Sequence, residues 1–232
     1  MQTIRKAQDR GATRIAWLDS RHTFSFGDYY DPVEAGFSVL RVINDDRVAP
    51  GGGFPSHSHR DMEIVTYVLE GALEHRDNIG NNSVIPAGDL QRMTAGNGIV
   101  HSEFNHSKTQ PVHFLQIWIL PSRGGLEPGY EQETLDKNPP RGQLRLVVGP
   151  DSHKGALKIN QDARMYIGTF DPGQSAAAQL DAARRAYVHV VRGKISINGA
   201  QLGEGDGARV SDERRVDLSA GAQAEVLLFD LP

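Results

Sequence analysis

GGGFPSHSHRDMEIVTYVLEG, residues Gly51 to Gly71, carries three signals in 21 positions. The glycine triplet Gly51-Gly52-Gly53 reads as a flexible turn, because no Gly-Lys-Ser/Thr follows to make a phosphate loop. If the next residues form a strand, its period of two sets His57 and His59 side by side on one face, a chelating geometry. The run Ile64-Val-Thr-Tyr-Val-Leu69 then reads as a strand by its length and β-branching. Turn, histidine-bearing strand and buried strand in succession point to an antiparallel β-fold, in which the His57–His59 pair by itself reads equally as a chelating pair or as two solvated side chains.

The rest of the chain has the same texture. Short apolar runs bounded by turn residues recur at Phe37–Ile43, Phe114–Leu120, Leu144–Val148, Tyr187–Val191, Lys194–Ile197 and Ala224–Phe229. Glycine is in excess, 25 of 232 residues, and 12 prolines add further turns. One weak helix is expected, near Ala176 to Arg185. Many short strands at close spacing favour a β-sandwich or barrel over any α/β arrangement. The stretch PSRGGLEPGYEQETLDKNPPRG, Pro121 to Gly142, breaks the strand rhythm and reads as the connection between two halves. Those halves look related. Tyr67-Val-Leu-Glu-Gly-Ala-Leu73 resembles His189-Val-Val-Arg-Gly-Lys-Ile195, and Gly88-Asp89 and Gly205-Asp206 follow in the same order, so two copies of one β-unit are expected.

Composition narrows the chemistry. With no cysteine, disulfides, thiolate zinc sites, iron–sulfur clusters and cysteine nucleophiles are excluded, and any metal must be held by nitrogen and oxygen. The formal charge of −4 and the lack of a basic stripe argue against direct nucleic-acid binding. The opening MQTIRKAQDR carries charges with no apolar stretch behind them, and no segment is apolar enough to span a bilayer, so a cytoplasmic protein without a membrane partner is expected. Of nine histidines, six (His57, His59, His75, His101, His106 and His113) lie between positions 57 and 113. A second ligand cluster follows an Asn97-Gly98 turn signal, where His101 and Glu103 share a strand face. Two strands, each with two ligand-type residues, can close around one ion. The other histidines read as hydrogen-bonded or solvated side chains: His75 at a barrel mouth, His106 and His113 elsewhere, and His22 packed among Phe24 and Phe26.

These residues carry a family resemblance. Gly51-x5-His57-x-His59-x3-Glu63-x7-Gly71 resembles the first cupin motif, with one residue more than usual before the last glycine. Gly80-x5-Pro86-x-Gly88 and His101-x3-Asn105 match the second, with twelve residues where two are usual. The string at Gly88 to Glu103, Gly-Asp-Leu-Gln-x-Met-Thr-Ala-Gly-x-Gly-Ile-x-His-x-Glu, is similar to the signature of the pirin family. Trp17-Leu-Asp-Ser-x-His-Thr-Phe-Ser-Phe26 and Leu115-Gln-Ile-Trp118 also resemble bacterial pirins, in particular those described as quercetin 2,3-dioxygenases. The resemblance spans most of the chain and loosens after Gly142.

It implies an all-β bicupin: two packed antiparallel β-barrels of the jelly-roll type, residues 1–130 forming the metal-binding one and 131–232 a barrel without ligands. Applying the repeat offset supports the second point, since His57, His59 and Glu63 fall on Gln179, Asp181 and Arg185, and His101 and Glu103 on Leu218 and Ala220. The implied metal ligands are His57, His59, His101 and Glu103. Glu63, at the general cupin glutamate position, is a supporting or alternative ligand. Fe(II) is the expected ion, although the donor set also accepts Mn, Co, Ni, Cu or Zn. The implied reaction takes a flavonol and O2, inserts two oxygen atoms, opens the central ring and releases carbon monoxide. Glu103, or Glu63 if it is free of the metal, is the expected acceptor of the flavonol proton. Two other classes stay open: a non-enzymatic, metal-bearing regulator acting through protein partners, as for some pirins, and a cupin sugar isomerase or closed structural zinc site.

Overall fold

The computed structural model describes residues 1–136, 138–151 and 155–232. The first part of the chain forms strands β1 (Gln2–Arg5), β2 (Gly11–Ile15), β3 (Leu18–His22), β4 (Leu40–Val48), β5 (Gly53–His59), β6 (Glu63–Glu70), β7 (Ala72–Asp77), β8 (Asn82–Pro86), β9 (Asp89–Thr94), β10 (Ile99–Asn105), β11 (Val112–Ile119) and β12 (Gly129–Thr134). The remainder forms β13 (Gln143–Gly149), β14 (Leu157–Lys158), β15 (Arg164–Phe170), β16 (Ser175–Gln179), β17 (Arg185–Ile197), β18 (Ala200–Gly203), β19 (Gly207–Val210), β20 (Arg215–Ser219) and β21 (Ala224–Leu231). The fold is an all-β bicupin whose sheets pack face to face as jelly rolls rather than closing into barrels. Among the described residues no helix is long and apolar enough to cross a membrane.

A seven-stranded sheet in the order β12-β9-β6-β11-β4-β3-β2 faces a four-stranded sheet, β5-β10-β7-β8. Strand alternation decides what each face of the larger sheet does. Val65, Tyr67, Leu115 and Ile117 point outward and join Val147, Met165, Tyr187, Leu227 and Phe229 in a core that fuses the two halves. Val68 and Phe114 point inward and pack on Leu73 and Ile85 of the smaller sheet. The inner face is polar further along: Asn44 and Gln116 are paired across β4 and β11, with Thr66 opposite Gln116 on β6.

The internal repeat is present in the backbone. Gly71 and Gly193 both take positive φ, +75° and +77°, and a Cβ on either would strike the chain leading into the neighbouring strand: Pro111 O at 2.7 Å before β11, Gln223 O at 1.9 Å before β21. Gly88 and Gly205 likewise match, at +91° and +78°. The pair β16–β20 is the counterpart of β5–β10. There Ala176, Ala178, Val216 and Leu218 pack into an apolar core.

That counterpart corrects the helix expected from Ala176 to Arg185. The Ala-rich run is strand β16, alternately exposed and half-buried, because pairing with β20 overrides alanine's local helix preference. The runs Tyr187–Val191 and Lys194–Ile197 belong to one 13-residue strand that bends at a register shift and at Gly193. The Pro121–Gly142 connection contains β12, which caps the free edge of β9. β1 does the same for β19, in the sheet of the second half. The boundary at residue 130 falls within β12, and β1 lies outside the half its position suggests.

Candidate metal centre

The site is assembled on the four-stranded sheet. β10 runs antiparallel to β5, with His101 opposite His57, and on its other side to β7, with Glu103 opposite His75. Between His101 and Glu103 the β5 register slips: Glu103 is opposite Phe54, so β5 carries one residue more than β10 over this stretch. Glycine makes the close pairing that follows feasible, since a Cβ on Gly53 would lie 2.5 Å from the Glu103 carbonyl oxygen. The triplet Gly51–Gly53 is therefore not simply a flexible turn: Gly51 supplies a positive φ of +70°, while Gly52 and Gly53 permit contact with Trp17 and β10.

The bulge fixes one candidate donor. His57 Nδ1 lies 2.8 Å from the Pro55 carbonyl, which only accepts, so Nδ1 carries the proton and Nε2 keeps its lone pair. A second relay acts on His101. Burial alone would raise the pKa of Asp77, but hydrogen bonds from His75 and Asn81 outweigh it and hold the carboxyl below its usual range. Asp77 Oδ2 accepts from His75 Nε2 at 3.0 Å. His75 Nδ1 is then an acceptor and faces His101 Nδ1 at 3.4 Å. His101 therefore donates through Nδ1, and its Nε2, buried, has no protein partner.

The three imidazoles of His57, His59 and His101 converge, with ring centroids 4.4–4.9 Å apart. One nitrogen of each lies within 4.8 Å of the others, and His75, His101 and Glu103 form a second group of the same spacing. Glu103 Oε2 accepts from Gln116 Nε2 at 2.8 Å, and Gln116 Oε1 in turn accepts from Trp118 Nε1 at 3.2 Å. The other carboxylate oxygen, Oε1, is buried without a partner. An orphaned nitrogen lone pair and an orphaned carboxylate oxygen in one interior are costly unless a cation meets them, so the donor set fits a divalent metal. Electrostatics agree: burial, followed by the neighbouring histidines, lowers His59 to about 4 and His101 to about 3, so both are neutral and able to ligate at neutral pH.

The cluster opens into a cavity of about 470 Å3 lined by Leu18, Phe26, Phe54 and Trp118 on its apolar walls and by His22, Asn44, Asp46, Glu103 and Gln116 on its polar ones. Trp118 stands edge-on to His59, and Phe26 edge-on to Trp118. Such a volume is typical of small-molecule sites, about 300–1,000 Å3.

Of the residues singled out in the sequence, His57, His59 and His101 meet, and Glu103 borders them through His101. Glu63 does not. It shares the outer face of β6 with Val65 and Tyr67, and its carboxylate accepts from Asn160 Nδ2 and Thr94 Oγ1, both at 2.9 Å, at the seam between the halves. His75 is the hydrogen-bonded histidine expected rather than a residue at a mouth, fully buried against Asp77. His106 is exposed beside Glu74, and His113 is buried with Nε2 2.7 Å from Asp45. His22 packs on Phe26 as expected and also lines the cavity. Sequence reading missed Asn44, Asp46, Gln116 and Trp118 as cavity residues. Their signal is the alternation Asn44/Asp46 and Gln116/Trp118 on adjacent strands.

A histidine-lined cavity inside one of two fused jelly rolls defines a bicupin with a divalent-metal centre. The chain belongs to the pirin family: the Pirin family model matches residues 3–119, and a model described as the quercetinase C-terminal cupin domain matches 146–231. It is 48% identical over 229 residues to the quercetin 2,3-dioxygenase of Escherichia coli strain K12, covering 99% of this chain and 98% of that protein. The crystal structure of YhhW from Escherichia coli superposes with a TM-score of 0.97 at 47% identity, covering 100% of this chain and 98% of that one. The bacterial pirin YhhW in complex with nickel(II) gives 0.95 at 46%, covering 100% and 99%.

Proposed function

We propose that this chain is a metal-dependent dioxygenase that cleaves the flavonol quercetin with O2 and releases carbon monoxide, in the cytoplasm, with residues 1–130 carrying the chemistry and 131–232 holding no metal. The ligands are His57, His59, His101 and Glu103, and the ion is Fe(II). The observation that carries this reading is the pair of partnerless buried atoms, His101 Nε2 and Glu103 Oε1, beside an aromatic-walled cavity. The relatives named quercetin 2,3-dioxygenase support the choice of substrate.

The bound ion supplies Lewis acidity and redox access between the substrate and O2. The protein's residues do the rest. Phe26, Phe54 and Trp118 give a planar aromatic ligand apolar surface and exclude water from the reacting edge. Gln116 holds Glu103 Oε2 and so fixes the orientation of the carboxylate that serves as ligand and as acceptor of the phenolic proton. The Pro55 and His75 contacts fix the ring orientations of His57 and His101, so the donors need no rearrangement when the ion enters.

Anaerobic loading with Fe(II), followed by quercetin and then O2, tests the reading by carbon monoxide release together with loss of flavonol absorbance. Turnover above that of free iron is expected. Full iron occupancy without such turnover rejects the enzymatic reading. His59→Ala is expected to abolish iron retention and turnover together, and unchanged activity in that variant rejects the ligand assignment.

A further inference from the structure

The cavity has a second polar pole, away from the histidine cluster. Alternation along β4 turns Asn44 and Asp46 inward, while Asp45 faces the opposite side and pairs with Arg10 and His113. Register then sets Ser20 beside Asp46 and His22 beside Asn44. Most of this pole is internally satisfied. His22 Nδ1 is 2.8 Å from Asn44 Oδ1, and its Nε2 is 2.9 Å from the Thr13 hydroxyl.

Asp46 is the exception. It is 2% exposed and lines the cavity, yet its Oδ1 has no hydrogen-bond partner. A buried, unpaired carboxylate oxygen is a costly feature to leave without a donor. Among the described residues its charged neighbours are Asp45 and Glu103, both acidic, and β3 offers the Ser20 hydroxyl. Burial, with those two acids adding to it and Ser20 opposing it, pushes Asp46 up to about 7. A donor for it can come from a molecule held in the cavity it lines. A cationic group is disfavoured there by the divalent ion across the same space, which leaves a neutral hydroxyl on an otherwise apolar ligand.

We propose that Asp46 Oδ1 accepts a second hydroxyl of a planar polyphenol whose first, chelating hydroxyl sits at the His57–His59–His101 cluster. This deepens the flavonol reading and rests on it. The site thereby selects polyhydroxylated flavonols over those bearing the chelating hydroxyl alone, and Asp46 is a specificity residue that touches substrate without taking part in ring opening. A hydrogen bond from a ligand hydroxyl to a carboxyl buried in a cavity wall corresponds to roughly a tenfold or greater preference.

The test is ligand binding to the full-length nickel(II)-loaded protein under anaerobic conditions, with tryptophan fluorescence quenching as the readout. The probes are quercetin and 3-hydroxyflavone, which share the chelating hydroxyl and carbonyl and differ in the remaining hydroxyls. Wild type is expected to bind quercetin about tenfold or more tightly than 3-hydroxyflavone. In Asp46→Ala that ratio is expected to collapse toward one. In Asp46→Asn, which keeps an acceptor oxygen and the packing, it is expected to be intermediate, so the comparison survives if the alanine variant fails to fold. No preference in wild type, or equal weakening of both ligands in Asp46→Ala with the ratio kept, overturns the proposal and leaves the flavonol reading intact. Failure of wild type to bind either ligand overturns the flavonol reading itself, and the proposal with it.

Discussion

Replacing His75 with phenylalanine probes the relay behind the metal centre. The new ring keeps the aromatic surface between His101 and Tyr130, whose centroids lie 5.2 and 4.8 Å from that of His75. It removes both nitrogens. Asp77 loses the donor at 3.0 Å but keeps three, from Ile79 N, Asn81 N and Asn81 Nδ2, so the β7–β8 turn is expected to hold. His101 loses the acceptor for its Nδ1 proton at 3.4 Å, leaving a buried donor unpaired at about 1–3 kcal/mol and the ring free to exchange tautomers. Removing such an outer contact lowers metal affinity by about 10–100-fold, and the length of this bond favours the lower end, about tenfold or 1.4 kcal/mol. Calorimetric titration of the apo protein with nickel(II) against a competing chelator measures it, with a melting curve to confirm the fold. Affinity within twofold of wild type refutes the relay. Complete loss of binding refutes it in the other direction, by making His75 itself a ligand in the alternative His75–His101–Glu103 group.

The remaining predictions concern acid stability and two neighbouring contacts. His189, 1% exposed, is lowered to about 4 by burial and then by Arg10, against an unfolded value of 6.5. The native state therefore binds fewer protons than the unfolded one between those values, and stability present at pH 7 is lost as pH falls from 6.5 toward 4, as it is for His59 and His101. In urea unfolding, His189→Phe is expected to shrink the loss between pH 7 and 4.5 by about 2–3 kcal/mol, and an unchanged loss contradicts the assignment. Gly53→Ala places a Cβ 2.5 Å from Glu103 O and 2.6 Å from the Phe104 Cα. A cost of about 1–3 kcal/mol in melting experiments, with weakened nickel binding, is expected, and a wild-type profile in both shows that β5 can move away freely. Gln116→Leu strips Glu103 of its 2.8 Å donor, so kcat for quercetin is expected to fall roughly tenfold to a hundredfold, and an unaltered kcat removes Gln116 from the machinery.

The parts of the site legible in the sequence were those in which ligand spacing and strand period coincide. His57 and His59, and His101 and Glu103, sit two apart on single strands, so one rule placed them. His75 was harder, because what makes it matter is Glu103 opposite it across a strand pair and Asp77 beneath it. The sequence leaves Glu63 open between a supporting and an alternative role, because its position in a motif says nothing of which sheet face it occupies. The apolar run Phe37–Ile43 stops short of the true end of β4 at Val48, because Asn44, Asp45 and Asp46 look like a loop until cavity and ion-pair partners are found for them. In the fold, the same blindness to tertiary context turned β16 into a helix: nothing in Ser-Ala-Ala-Ala-Gln itself reports the partner strand forty residues on.

The pairing of β1 with β19 bears on how the molecule is made. Gln2 is opposite Val210, so β1 is synthesised well before the strand it pairs with and finds its place only when that strand has emerged. At about 5–20 residues per second, that is a wait of roughly 10–40 s. During it, the first jelly roll can pack without β1, and β1, still unpaired, stays open to any chain that offers a strand edge. Assembly of this sheet is thus closed by a strand made long before its partner, and the interval before closure is when strand exchange with a neighbour competes most directly with correct folding.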